Sequence, residues 1–147
     1  MPDITFYRRN LPHWRVKGSC YFVTFRMHKS QANLRFEERT VVEKVLRQCE
    51  SRDHHLDAYV VMNDHVHVLV HPALQSHLED LVHAWKSASA HLLQRLSDRR
   101  GAIWQREYFD RIVRDEHEWL EKMTYIVSNP TKRWPDLVGY QWLHPQV

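Results

Sequence analysis

The apolar and polar positions divide the chain into short extended runs and three long amphipathic ones. Cys20-Tyr21-Phe22-Val23-Thr24-Phe25 is β-branched and aromatic, which predicts a strand. From Glu37 to Arg52, Val41, Val42, Val45, Leu46 and Cys49 recur at helical spacing behind two acids in the first turn. Leu56 to Met62 reads as a second strand, Asn63-Asp64 as a turn, and His65 to His71 as a third strand stopped by Pro72. Leu78 to Leu96 predicts a long helix with Leu78, Leu81, Val82, Trp85, Ala88, Leu92 and Leu96 on one side, and Gly101 ends it. A fourth strand is expected around Arg111-Ile112-Val113. Asp115 then caps a last helix through Leu120, Met123, Tyr125 and Ile126, ended by Pro130. The stretch from Leu137 to Leu143 is expected to pack or pair.

The order β-α-β-β-α-β followed by a further helix is the ferredoxin-like, RRM-like split pattern, an α+β fold with an antiparallel sheet. Two helices cover one face of that sheet. The additional C-terminal helix is expected on the opposite face. The expectation is one domain over 1–147, with a basic N-terminal arm at about 1–19 and a tail at about 131–147.

Composition narrows the classes. A chain of 147 residues with 43% apolar content can bury a core without staples. Cys20 and Cys49 are the two cysteines and form no C-x-x-C pair, so neither a disulfide framework nor a thiolate zinc motif is expected. The first residues carry no apolar signal core, and no run approaches the ~20 residues that span a bilayer. The expected setting is cytoplasmic, without a membrane partner. Net charge is +3, but Arg8, Arg9, Arg15, Lys17, Arg26, Lys29 and Arg35 face the single acid Asp3 at the start of the chain. A cationic arm suits a polyanionic partner.

The chemistry concentrates in two places. In His65-Val66-His67-Val68-Leu69-Val70-His71 the valines fall on one face of a strand, and His65, His67, Leu69 and His71 on the other. His65 and His67 are ~6.5–7 Å apart along the strand, close enough for two imidazoles to converge on one divalent ion. Two histidines are too few for a structural zinc site, but they suit a catalytic ion that keeps open positions. On the last helix Tyr125 and Asn129 are four residues apart and share a face. If that face overlies the histidines, Asn129 becomes a third ligand for the metal and a phenol stands beside it. A phenol with an ordinary pKa of ~10 needs such a cation to act as a nucleophile on phosphorus.

Taken together, these segments resemble the single-tyrosine HUH transposases, and within them the REP-associated tyrosine transposases of the IS200-like group. His65-Val66-His67 matches the His–hydrophobe–His signature. Asn10-Leu11-Pro12-His13-Trp14 and Gly18 to Phe25 resemble the family's opening, and Trp85-Lys86-Ser87 its second-helix signature. Trp104 to Arg111 resembles the entry to its last strand, and Tyr125 to Pro130 with Lys132-Arg133 its nucleophile helix. The resemblance spans nearly the whole chain. It implies a divalent cofactor, Mg²⁺ or Mn²⁺, and attack by Tyr125 on single-stranded DNA beside a hairpin. The implied product is a 5′-phosphotyrosine link and a free 3′-hydroxyl. It further implies that Gly18, Ser19 and Tyr21 help to read a short guide sequence. Two departures stand out. Asn63-Asp64 replaces the family's Pro-Asn before the first histidine, and Trp134 follows Lys132-Arg133 where a small residue is usual.

The expected DNA contacts are Arg8, Arg9, His13, Trp14, Arg15, Lys17 and Tyr21, where cations for phosphates alternate with rings for unpaired bases. Lys86 is a further, weaker candidate, and Trp85 and Trp104 are expected in the core. A second basic run, Arg95, Arg99, Arg100, Arg106, Arg111 and Arg114, is equally well read as a solvated surface. The protein would act as a monomer or a homodimer. The alternatives are a passive nucleic-acid-binding module of the same fold, a domesticated hairpin binder without cleavage, and a hydrolase that uses activated water.

Overall fold

The computed structural model of the protein describes residues 19–146. In chain order the elements are β1 (Cys20–Arg26), α1 (Phe36–Arg47), β2 (His54–Val61), β3 (His65–Pro72), α2 (Leu78–Leu96), β4 (Phe109–Val113), α3 (Glu116–Arg133) and β5 (Leu143–His144). The strands form one antiparallel sheet in the order β4-β1-β3-β2-β5. The first four strands and two helices give the ferredoxin-like order, so β3 is central and flanked by β1 and β2.

Strand alternation sorts the core into two layers. Val23, Phe25, Val66, Val68 and Val70 are buried on the side covered by α1 and α2, together with Val42, Leu46, Val82, Trp85 and Leu93. Trp104 joins this layer, edge-on to Phe25 at 4.8 Å, with its Nε1 donating to Ser89 Oγ at 2.9 Å. The other side is covered by α3, which buries Trp119, Met123, Ile126, Val127 and Pro130. Asp115 caps that helix by accepting from the Glu118 amide at 2.8 Å.

Two helix ends differ from the sequence expectation, while the tail follows it. The first helix stops at Arg47, five residues early, because Cys49 (φ 66°) and Ser51 (φ 77°) take left-handed backbone in the turn into β2. Pro130 does not end α3. It lies inside the last turn, and the Trp134 amide still donates to the Pro130 carbonyl at 2.8 Å. Proline removes one helix hydrogen bond, and here the residue is buried on the inner side of the helix. The tail pairs as well as packs. After a left-handed Gly139 (φ 77°), Trp142 accepts from the Val61 amide at 2.9 Å and His144 pairs with Tyr59, so β5 covers what would be the open edge of β2. Among the described residues, no helix is long and apolar enough to cross a membrane.

Candidate metal centre and tyrosine site

His67 sits at the middle of the sheet, opposite Thr24 of β1, and is 2% exposed. Thr24 Oγ1 lies 2.7 Å from His67 Nδ1. With the proton on Nδ1 donated to that hydroxyl, Nε2 presents its lone pair. That Nε2 is buried and has no hydrogen-bond partner. Such an orphan costs ~1–3 kcal/mol unless something satisfies it. Burial, then the neighbouring His65 and Arg26, push the His67 pKa down to about 3. The ring is therefore neutral at physiological pH, the form that ligates a metal.

His65 lies on the same face, with ring centroids 4.6 Å from His67. Its Nδ1 is 2.7 Å from Asp64 Oδ1. Asp64 thus holds the His65 imidazole from its Nδ1 side. Both Nδ1 atoms are engaged, which leaves Nε2 on each ring for an ion.

From above, α3 brings Tyr125 onto this pair. Its ring stands edge-on to His67 at 5.1 Å and to Phe22 at 5.8 Å, and the residue is 40% exposed. Phe22 stacks on His67 at 5.5 Å, completing a wall of rings. Lys132 Nζ lies 5.5 Å from the Tyr125 ring, and Lys122 Nζ lies 5.1 Å from the Phe22 ring. Asn129 follows one turn after Tyr125 on α3 and is half-buried. Two adjacent imidazoles suit a divalent ion that keeps open positions. The orphaned His67 Nε2 is the feature that asks for one.

The other predicted site residues are distributed differently. Arg8, Arg9, His13, Trp14, Arg15, Lys17 and Gly18 lie outside the described residues. Ser19 is exposed just before β1. Tyr21 alternates with Phe22, so its side chain belongs to the face opposite Tyr125. Lys86 points into the structure: its Nζ donates to the Gln105 carbonyl at 2.7 Å and the Arg106 carbonyl at 2.9 Å, and lies 5.7 Å from the Tyr108 ring. Those bonds anchor the segment before β4. In the second basic run, Arg99 forks onto Glu38 at 2.6 and 2.8 Å, and Arg111 reaches Glu118 at 2.6 Å. Sequence reading missed Thr24 and Phe22 as partners of His67. Their signal was parity: both share a strand face, but only the β1–β3 register sets them against the histidines.

The family model described as "Transposase IS200 like" matches residues 16–129. Among curated proteins, none matches the sequence. A solved structure of a REP-associated tyrosine transposase bound to a REP hairpin superposes with TM-score 0.68 at 18% identity, over 80% of this chain and 69% of that one. A candidate transposase from Deinococcus radiodurans R1 superposes with TM-score 0.55 at 24% identity, over 73% of this chain and 87% of that one. These likenesses are of fold. The sequence match covers most of the chain, both histidines and the tyrosine included, and the protein belongs to the IS200-like transposase family.

Proposed function

We propose that the protein is a metal-dependent single-stranded DNA endonuclease and strand transferase whose nucleophile is Tyr125. The observation that carries this reading is the Tyr125 ring set against His67, whose buried Nε2 has no partner. His65, His67 and Asn129 would hold a divalent ion, Mg²⁺ or Mn²⁺. When bound, that ion would polarise the scissile phosphate and favour the phenolate. The Tyr125 oxygen attacks phosphorus and gives up its proton. The P–O3′ bond breaks, and the departing 3′-oxygen takes a proton to become a hydroxyl. The 5′-phosphate is left on the tyrosine. Attack by a 3′-hydroxyl on that link rejoins DNA and frees the phenol. One phosphodiester is exchanged for another, so no nucleotide cofactor is required.

The contact of the Tyr125 ring with His67 within one chain supports attack in cis. The substrate is single-stranded DNA beside a hairpin. The hairpin-bound relative of the same fold and the family's DNA processing support this reading. The basic arm would supply phosphate contacts and Ser19 a guide-base contact, in a cytoplasmic setting; Tyr21, on the opposite face, is left out of that set.

The test is incubation with single-stranded hairpin oligonucleotides from the gene's own flanks and Mn²⁺, read on a denaturing gel and by mass spectrometry. The expected result is a chelator-sensitive adduct on Tyr125 that Tyr125→Phe abolishes. Cleavage that persists in Tyr125→Phe would assign the chemistry to activated water, and hairpin binding with no cleavage would make the protein a passive binder.

A further inference from the structure

At the far end of the same sheet face, three central strands each turn one metal-binding side chain toward a common point. Cys20 opens β1, His71 is the last residue but one of β3, and Asp57 comes from β2. The ligand atoms of these three residues all lie within 4.8 Å of one another. Asp57 is there because of a β-bulge. The β2–β3 register pairs Leu56 with Val70 and Ala58 with Leu69, which leaves Asp57 as the extra residue. Bulges re-aim side chains beside functional sites, and this one directs Asp57 toward the α3 side. There Asp57 Oδ2 is 2.6 Å from His71 Nε2 and accepts from Trp119 Nε1 at 2.7 Å, so α3 roofs the cluster. His55, the register partner of His71, lies at the mouth, with Nε2 3.3 Å from Asp57 Oδ1 and its side chain 38% exposed.

We propose that Cys20, Asp57 and His71 form a second metal site, for a zinc-class ion, with His55 or a water as the fourth ligand. The site is separate from the His65–His67 pair, since His71 is four strand residues beyond His67, ~13 Å along β3. The donor set decides the class of ion. A thiolate with an imidazole selects a borderline-soft metal over Mg²⁺ or Ca²⁺. Zinc bond lengths of ~2.0–2.3 Å at tetrahedral angles set donors roughly 3.3–3.8 Å apart, so the Asp57–His71 pair would open by about 1 Å while the outer donor draws in. Charge balances too: one thiolate and one carboxylate neutralise a divalent cation, as a buried site requires. Binding releases the Cys20 thiol proton, and any proton shared by Asp57 and His71, to solvent. The ion would pin β1, β2 and β3 together beneath the N-terminal half of α3, the helix that carries Tyr125 further on.

The experiment uses the full chain carrying His65→Ala and His67→Ala, which removes the other site, titrated with Co²⁺. The expected result is one Co²⁺ per chain with a near-ultraviolet thiolate-to-cobalt charge-transfer band that Zn²⁺ displaces. Cys20→Ser should remove the band, Cys49→Ser should keep it, and Asp57→Asn or His71→Gln should weaken Zn²⁺ binding by about tenfold or more. Circular dichroism checks that each variant is folded. If Cys20→Ser does not fold, the Cys49→Ser and Asp57→Asn results decide. A folded double variant that binds no Co²⁺, or binds it without the band, overturns the proposal. So does a band lost with Cys49→Ser or unaffected by Asp57→Asn.

Discussion

The two faces of the sheet are built on opposite terms. Under α1 and α2 the sheet offers Val23, Phe25, Val66, Val68 and Val70, a hydrocarbon layer. Under α3 it offers Thr24, His67 and His71, all buried, with Asp57 and Cys20 among them. The first layer is what folding alone would select. The second gives up apolar contact for polar groups that must be matched one by one, and His67 Nε2 is left unmatched. Departures from a self-consistent core tend to mark function. The other face has one of its own in His54, which bonds the Leu46 carbonyl through Nε2 and leaves its buried Nδ1 unmatched, but no tyrosine stands over it.

Substitutions that act on one face and spare the other test this division. The largest expected effect is that of His67→Ala, which should abolish the metal-dependent Tyr125 adduct on a denaturing gel while hairpin binding, measured by mobility shift, persists. Normal adduct formation would remove His67 from the chemistry. Phe25→Ala, on the hydrocarbon face, should cost ~3–5 kcal/mol in urea unfolding. Its adduct rate per folded molecule should be unchanged. Thr24→Val should alter unfolding by only ~1 kcal/mol. It frees the His67 ring, however, and should weaken Mn²⁺ affinity by ~10–100-fold, read by titration of adduct yield.

The smallest effect concerns a polar group on the hydrocarbon side. Burial raises the Glu38 carboxyl pKa, but hydrogen bonds from Arg99, the Arg35 amide and Ser97 outweigh it and hold it down to about 2. The unfolded chain therefore binds this proton more readily than the native one. The contribution of Glu38 to stability is complete above pH ~5 and drains away as pH falls toward 2. Glu38→Gln should flatten the fall of melting temperature across that window and leave adduct chemistry intact. An unchanged slope would mean that the Glu38–Arg99 fork does not control acid stability.

Much of this arrangement was legible in the residues. The alternation of valine and histidine along β3 separated the two faces. The span of α2, the Asp115 cap and the placement of a spare helix on the free face followed from local pattern and layer logic. What escaped was set by contacts distant in sequence. Nothing local marks Asp57 as a bulge, since its displacement exists only relative to Val70 and Leu69 of β3. The left-handed Cys49 and Ser51 carry side chains that do not announce that conformation. Pro130 reads as a stop and is instead held inside a helix by burial. Lys86 reads as a free cation, and only the fold shows two carbonyls waiting for it.

The central place of β3 has a consequence for motion. A strand hydrogen-bonded on both sides exchanges its amides only when the whole domain opens, whereas a helix resting on one packed face can loosen by itself. The two imidazoles thus ride on a strand paired along both edges, and the phenol on a helix packed on one face. If the proposed breakage and resealing of strands require a shift, α3 is the element able to make it while β3 keeps the histidines as its reference frame.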